Sequence, residues 1–370
     1  MSADGIPLVD LAAQHREVAD EVRSGMARVM DSSSFILGRD VAEFEAAFAA
    51  FSEVRHCIGV ANGTDALELA LRALGVGAGD EVILPANTFI ATAAAVIRAG
   101  ATPVLVDCDP VPQLIDVAQV AAKVTPRTKV ILPVHLFGQV ARVEELLALA
   151  EMRGIAVVED AAQAQGARRH GTTAGGFGIA AGTSFYPGKN LGAYGDGGAV
   201  LTSSDEVARK LRALRNYGSE VKYSHPEIGF NSRLDTLQAV VLQAKLRRLA
   251  AWNEARRDAA RRYHALLAEL PGVTLPATLP GNEHVWHLYV VRVPRRDEVL
   301  RRLHEAGVGA GVHYPVPIHL QGAFANLGHR PGDFPEAEAA AAEVLSLPLF
   351  PQITAAQQER VAGTLAKALA

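Results

Sequence analysis

Between about Cys57 and Ser203, short apolar runs alternate with stretches of helical periodicity. The runs CIGVA (57–61), EVILP (81–85), TPVLVD (102–107), KVILPV (129–134), IAVVED (155–160), GTSFY (182–186) and GAVLT (198–202) read as strands. Several lack the apolar–polar alternation of a half-exposed strand, as expected when helices cover both faces of a parallel sheet. TDALELALRALG, NTFIATAAAVIRAG and RVEELLALAEMRG, set between them, read as helices, the first and third running out into glycine. This alternation predicts an α/β fold built on a mainly parallel sheet.

The flanks follow different rules. The first forty residues predict an arm and an amphipathic helix, and VAEFEAAFAAF (41–51) continues with helical spacing after the Ser32-Ser33-Ser34 break. From Arg233 to about Leu270 the chain turns helical and arginine-rich, which predicts a long connector. Pro271, Pro276 and Pro280 then mark a boundary. Beyond it come a strand in HLYVVRVP, with His284 and His287 flanking Trp286, and a helix in RRDEVLRRLHEAGVG. A proline-rich loop, GVHYPVPIHLQG, and two alanine-rich helices follow. The expected organisation is an arm and large α/β domain over 1–250, then a connector and smaller α+β domain over 251–370.

Composition narrows the function. Forty acidic residues against 36 basic leave a net charge of −4, so no basic footprint points to nucleic acid or an anionic membrane. Small anions stay open, because backbone amides bind them without net charge. Two cysteines, Cys57 and Cys108, make neither a disulfide framework nor a tetrathiolate zinc site, and a reduced cytoplasmic setting fits. Asp4, Asp10, His15, Arg16 and Glu17 interrupt the N-terminal sequence, which therefore predicts neither a signal peptide nor a membrane span.

Three glycine patterns fail on context. GFGIAA (176–181) has dinucleotide-site spelling but leads into a strand-like run that Pro187 breaks. Gly182 to Lys189 has the wrong spacing for a phosphate loop, and Asn190 stands where Ser or Thr is required. Asn62-Gly63-Thr64 is formally a glycosylation sequon. It is more informative as a strand-to-helix turn, which either offers amides to a phosphate or is an ordinary turn with Thr64 as helix cap. Glu159 and Asp160 end a buried-looking strand, where α/β sheets bind ligands, although a helix-capping aspartate is a common alternative. Lys189 lies in the turn SFYPGKNLG followed by GDGG. A lysine in a Gly/Pro turn at a strand end is an odd structural choice, whereas Schiff-base chemistry needs such rigid presentation.

ANGTDAL, VEDAAQAQGA and SFYPGKNLGAYGDGGAV, in that order, resemble the DegT/DnrJ/EryC1/StrS family of nucleotide-sugar aminotransferases of pyridoxal-phosphate fold type I. The likeness runs from ILGRDVAEFEAAFA through GFNSRLDTLQAVVL to HYPVPIHLQ and VLSLPLFP. It implies pyridoxal 5′-phosphate as cofactor, a large domain with a mainly parallel seven-stranded sheet, and a small C-terminal α+β domain. By the resemblance, Lys189 is the Schiff-base lysine and proton shuttle, and Asp160 is the partner of the pyridinium nitrogen. Phe89 stacks on the ring, with a plain core aromatic as alternative. Gln163 lies near the ring or its phenolic oxygen, with a helix-start residue as alternative. Gly63, Thr64 and Ser184 hold the phosphate, and Asn231 reaches it from the partner subunit.

Tyr186, His313 and Tyr314 resemble positions that contact the nucleotide sugar, and Tyr217 and Tyr223 are further candidates. The bland reading of the HYPVP loop is packing on the core, and His135 reads as architectural. The implied partners are a nucleotide-linked keto sugar, L-glutamate and a second copy of the chain sharing its active sites. GFNSRLDTLQAVVL and YPGKNLGAYGDGGAV resemble the enzymes acting at C3 of dTDP-3-keto-6-deoxyhexoses. C4 amination of a dTDP- or UDP-4-keto sugar, amination of a keto-inositol, and cofactor binding by a regulatory protein are the rivals. Lys189 argues against the relatives that carry histidine there and remove a hydroxyl, and neither cysteine suits a desulfurase nucleophile.

Overall fold

The apolar runs become a sheet because helices cover them on both sides. The structure is a computed structural model that describes residues 5–221 and 223–370. After the arm come α1 (Leu11–Ser32) and α2 (Arg39–Phe51), then β1 (His56–Val60), α3 (Gly63–Ala73), β2 (Glu81–Pro85), α4 (Ile90–Ala99) and β3 (Thr102–Val106). Next follow α5 (Val117–Lys123), β4 (Thr128–Ile131), α6 (Val143–Arg153) and β5 (Ala156–Asp160). Two short strands, β6 (Arg168–Arg169) and β7 (Thr172–Thr173), precede β8 (Ala180–Ser184), β9 (Gly198–Thr202), α7 (Asp205–Leu214) and α8 (Thr236–Leu267). The chain ends with β10 (Asn282–Glu283), β11 (Tyr289–Arg292), α9 (Arg296–Glu305), α10 (Pro335–Glu343), β12 (Val344–Leu347) and α11 (Ala355–Leu369).

Seven strands form the large sheet in the order β1-β9-β8-β5-β4-β2-β3. Neighbouring strands from β3 across to β8 run parallel, while β9 is antiparallel to both β8 and β1. All residues of β2 and β9 are buried, which explains their unbroken apolar spelling. One predicted strand is displaced. GTSFY was expected over 182–186, but β8 occupies Ala180–Ser184 and its register pairs Ser184 with Gly198. Phe185 leaves the strand to pack against Phe44 and Phe48, with ring centroids 5.4 Å from each. That fully buried ring anchors the segment leading to Lys189 and contributes roughly 1.5–3 kcal/mol by burial.

The expected boundary at 250/251 falls inside α8, a continuous helix of 32 residues. Its first half packs through Ala239, Leu242 and Leu249 against Phe44 and Phe48 of α2. Its last turns place Ala259, Tyr263 and Leu267 in the C-terminal core with Val291, Leu345 and Leu365. This second core surrounds the antiparallel pair β11–β12. The arm belongs to it as well: Ile6 is buried there, its N–H donating to Gly307 O and its carbonyl accepting from Gly309 N. His284 and His287 are not in a strand as expected. Residues 284–287 form an irregular turn before β11, with Trp286 at φ 47°. Among the described residues, no helix is long and apolar enough to cross a membrane.

Candidate active site

The carboxyl ends of β1, β5 and β8 face a cavity of about 620 Å³. Asp160 is the last residue of β5 and is almost wholly buried. Its Oδ2 accepts a hydrogen bond from Thr92 Oγ1 at 2.8 Å, and its Oδ1 accepts one from Ala162 N at 3.1 Å. Burial pushes this carboxyl upward, against the two hydrogen bonds and the charges of Lys189 and His135. No helix follows Asp160, so it is not a helix cap and Gln163 is not a helix-start residue. The adjacent Glu159 points to different work. It accepts from the amides of Gly175, Phe177 and Gly178 at 2.7, 2.9 and 2.8 Å and pairs with His135 at 2.8 Å, pinning the GFG turn to the sheet. His135 is architectural, as expected.

Lys189 lines the same cavity from the turn after Phe185. Its N–H donates to Tyr186 O at 2.8 Å, and Ala193 N closes the loop on Phe185 O. Gly192 is obligatory, since a Cβ there would lie 2.2 Å from Pro187 O. Burial draws the Lys189 amine down to about 8, with Asp160 pulling the other way.

The turn after β1 forms a cradle. Asn62, not Thr64, caps α3: its side chain accepts from Asp65 N at 2.8 Å. Gly63 and Thr64 therefore open the helix, where first-turn amides lack intrahelical acceptors and the dipole favours an anion. A Cβ on Gly63 would sit 2.6 Å from Ser184 Cβ, so glycine lets this turn close on β8. Phe89 and Tyr314 line the cavity as a pair, with ring centroids 5.2 Å apart. Phe89 is 50% exposed, which excludes the core-aromatic alternative. Gln163 accepts from Phe137 N at 2.6 Å and donates to Tyr314 OH at 3.0 Å, so its amide is oriented on both sides. Burial and the nearby Asp160 raise the Tyr314 hydroxyl. His313, bonded to Ser346 Oγ at 2.8 Å, is held down to about 4 by burial and the Lys189 charge.

Gly63, Thr64, Phe89, Asp160, Gln163, Ser184, Tyr186, Lys189, His313 and Tyr314 all line this one cavity. Asn231, Tyr217 and Tyr223 do not. They lie on the segment after α7, where Tyr217 and Tyr223 are 48% and 85% exposed. Sequence reasoning missed Thr92, Asp196 and His287, which also line the cavity. Thr88 and Thr92 sit four residues apart and share a 2.9 Å hydrogen bond; that spacing was the available signal for Thr92. His287 carried no signal, because its entry into the cavity depends on the backbone turn at Trp286.

The residues fit pyridoxal 5′-phosphate. A helix-start cradle that a Cβ would fill suits the phosphate, a buried carboxylate suits a protonated ring nitrogen, and a desolvated amine suits an aldehyde. The model of the DegT/DnrJ/EryC1/StrS aminotransferase family matches residues 17–366. The chain belongs to this family. As a family member it is an aminotransferase, similar at 50% identity to the "Pleiotropic regulatory protein" of Geobacillus stearothermophilus, over 98% of each chain. It is 48% identical to the dTDP-3-amino-3,4,6-trideoxy-alpha-D-glucose transaminase of Streptomyces venezuelae, covering 96% of this chain and 94% of that one. The crystal structure of S. venezuelae DesV in complex with a ketimine intermediate superposes with a TM-score of 0.96 over 98% of both chains, at 48% identity. The PLP-fold architecture expected from the sequence is the one observed.

Proposed function

We propose that this aminotransferase uses pyridoxal 5′-phosphate to move an amino group from L-glutamate to the C3 keto carbon of a dTDP-linked keto-6-deoxyhexose, in deoxyaminosugar biosynthesis. The observation that carries this reading is the convergence of Lys189, Asp160 and the Gly63–Thr64 cradle on one cavity. The likeness to the S. venezuelae transaminase supports the sugar and its carbon. When bound, the cofactor supplies the electron sink for the chemistry. Lys189 Nζ, drawn down to about 8, is neutral in part of the population and takes up the donor's α-proton. Asp160 holds the proton of the ring nitrogen. The amides of Gly63 and Thr64, with Ser184 Oγ, bind the phosphate, and Asn231 of the partner subunit completes that site. Tyr186, His313 and Tyr314 contact the sugar nucleotide, with Tyr217 and Tyr223 reaching it across a homodimer interface. Large apolar side chains on that segment, Tyr217 and the 93% exposed Ile228, support burial against a second copy.

A reverse-reaction screen tests the substrate. With 2-oxoglutarate as acceptor, 3-amino dTDP-deoxysugars are expected to turn over fastest among 3-amino and 4-amino dTDP- and UDP-sugars. Turnover confined to 4-amino sugars, or to an aminocyclitol, would remove the C3 assignment and keep the reaction class. The name of the G. stearothermophilus relative favours a second reading, cofactor binding by a regulator. Bound cofactor without turnover of any amino sugar in that screen would support it.

A further inference from the structure

Three features lie outside the roles above: an open cavity of about 460 Å³ beside Trp286, the buried Lys245 on α8, and His287. The cavity beside Trp286 is lined by Arg257 and Arg261, but both are already paired, with Glu254 and Asp258. Lys245 gives its amine to Gly192 O and is thereby accounted for. His287 is different, because it meets both the reactive cavity and the residue next to Lys189.

Its tautomer follows from the hydrogen bonds around it. Backbone carbonyls only accept, so Asn253 must turn its Nδ2 to Gln165 O, 2.9 Å away, and Asn190 must turn its Nδ2 to Val285 O, 3.0 Å away. The second hydrogen of Asn190 Nδ2 then goes to Asn253 Oδ1 at 2.9 Å. This leaves Asn190 Oδ1 as an acceptor, and the group facing it at 3.2 Å is His287 Nδ1. His287 Nδ1 therefore carries the proton, and Nε2 keeps a lone pair on the other edge of the ring. The ring stays uncharged: burial, then the charges of Lys189 and Arg256 and the neighbouring His313 and His284, hold it well below the usual histidine range.

The backbone is committed to this placement. Trp286 adopts a left-handed φ of 47°, a strained conformation for a bulky residue. Gly138 passes so close that a Cβ there would meet His287 N at 2.8 Å. The buried Arg256 guanidinium donates to Trp286 O at 3.2 Å and to His287 O at 3.4 Å.

We propose that His287 is a positioning residue: through its Nδ1–H it locks the Asn190 amide, and through that neighbour it fixes where Lys189 Nζ can travel. The inference rests on the proton-carrying role of Lys189 proposed above.

The test compares His287→Asn and His287→Leu holoenzymes with the parent. Asparagine puts an N–H near the position of Nδ1, whereas leucine leaves Asn190 Oδ1 without its donor. In the leucine variant kcat is expected to fall ~30–100-fold with the sugar KM little changed, the scale of a misplaced reacting group. The isotope effect of α-deuterated glutamate should rise, because proton transfer becomes limiting. The asparagine variant should recover most of the lost rate. A parent-like kcat and isotope effect in the leucine variant would overturn the proposal. So would an equal loss in both variants. Histidine ¹⁵N NMR of the parent holoenzyme gives a reading free of folding problems: His287 should show protonated Nδ1 and bare Nε2, and the reverse tautomer would overturn the assignment. The Lys189 reading is judged separately, since only an active Lys189→Ala enzyme would remove it.

Discussion

Desolvation draws the amines of the half-buried Lys189 and the buried Lys245 from 10.5 to about 8. Between those values the unfolded chain keeps a proton that the folded protein has released, so each lysine makes stability rise with pH there. Below pH 8 both states hold the proton and the slope disappears. Each lysine contributes about 1.4 kcal/mol per pH unit inside the window. Buried thiols and phenols, pushed upward by desolvation, oppose this trend, so the difference between variants is the useful quantity. Cofactor-free Lys189→Met should be more stable than the parent at pH 8, with the gap closing towards pH 10; urea unfolding at several pH values measures it. A gap independent of pH would mean that the amine is not desolvated as described. For catalysis, Lys189→Ala should keep the fold and lose both turnover and the visible absorbance of the bound cofactor. Asp160→Asn should keep some cofactor while losing ~3–5 kcal/mol of transition-state stabilisation, read from kcat/KM.

At the scale of elements, the site depends on how closely α3 approaches β8. Gly63→Ala would drive a methyl group into Ser184, with Cβ atoms 2.6 Å apart, and should weaken cofactor retention ~10-fold or more with a modest loss of melting temperature. Equilibrium dialysis measures it, and parent-like retention would contradict the cradle. Elements of this kind were legible wherever local chemistry decided them. The strand β2, buried on both faces, had an unbroken apolar run, and α6 ended where Gly154 takes φ 64°. Lys189 and Asp160 were legible because their turns are chemically odd. What stayed illegible depends on distant partners. The arm pairs with residues around Val308, and Trp286 turns His287 into the cavity only because Gly138 and Arg256 hold that turn. Neither partner is near in sequence, so no window of pattern could reveal them.

At the scale of the whole molecule, one chain brings together the expected cavity-lining residues, while Asn231 lies apart from them. Ser232 ties the Asn231 segment to the cradle helix, its hydroxyl donating to Asp65 at 2.8 Å and accepting from Ala61 N at 3.2 Å. Asn231 itself stays exposed and outside the chain's own cavity, as a residue serving another copy would. Under the proposed shared-site dimer, unfolding and reassembling Lys189→Ala together with Asn231→Ala should restore activity. A mixed dimer holds one site with both native residues, so up to about a quarter of the parent activity is expected if chains mix at random. No recovery above either homodimer would mean that each chain completes its own site.

The arm carries a consequence for how the enzyme comes off the ribosome. Leu8 and Val9 line the reactive cavity, yet Ile6 is held by Gly307 and Gly309 at the far end of the sequence. A nascent chain can assemble the large sheet once β9 has emerged, but its first residues must wait for about three hundred others before they find a partner. The arm's wall of the active site is thus among the late ones to close. A chain arrested before that point lacks the arm's anchor together with His313 and Tyr314, so its pocket stays open on two sides at once.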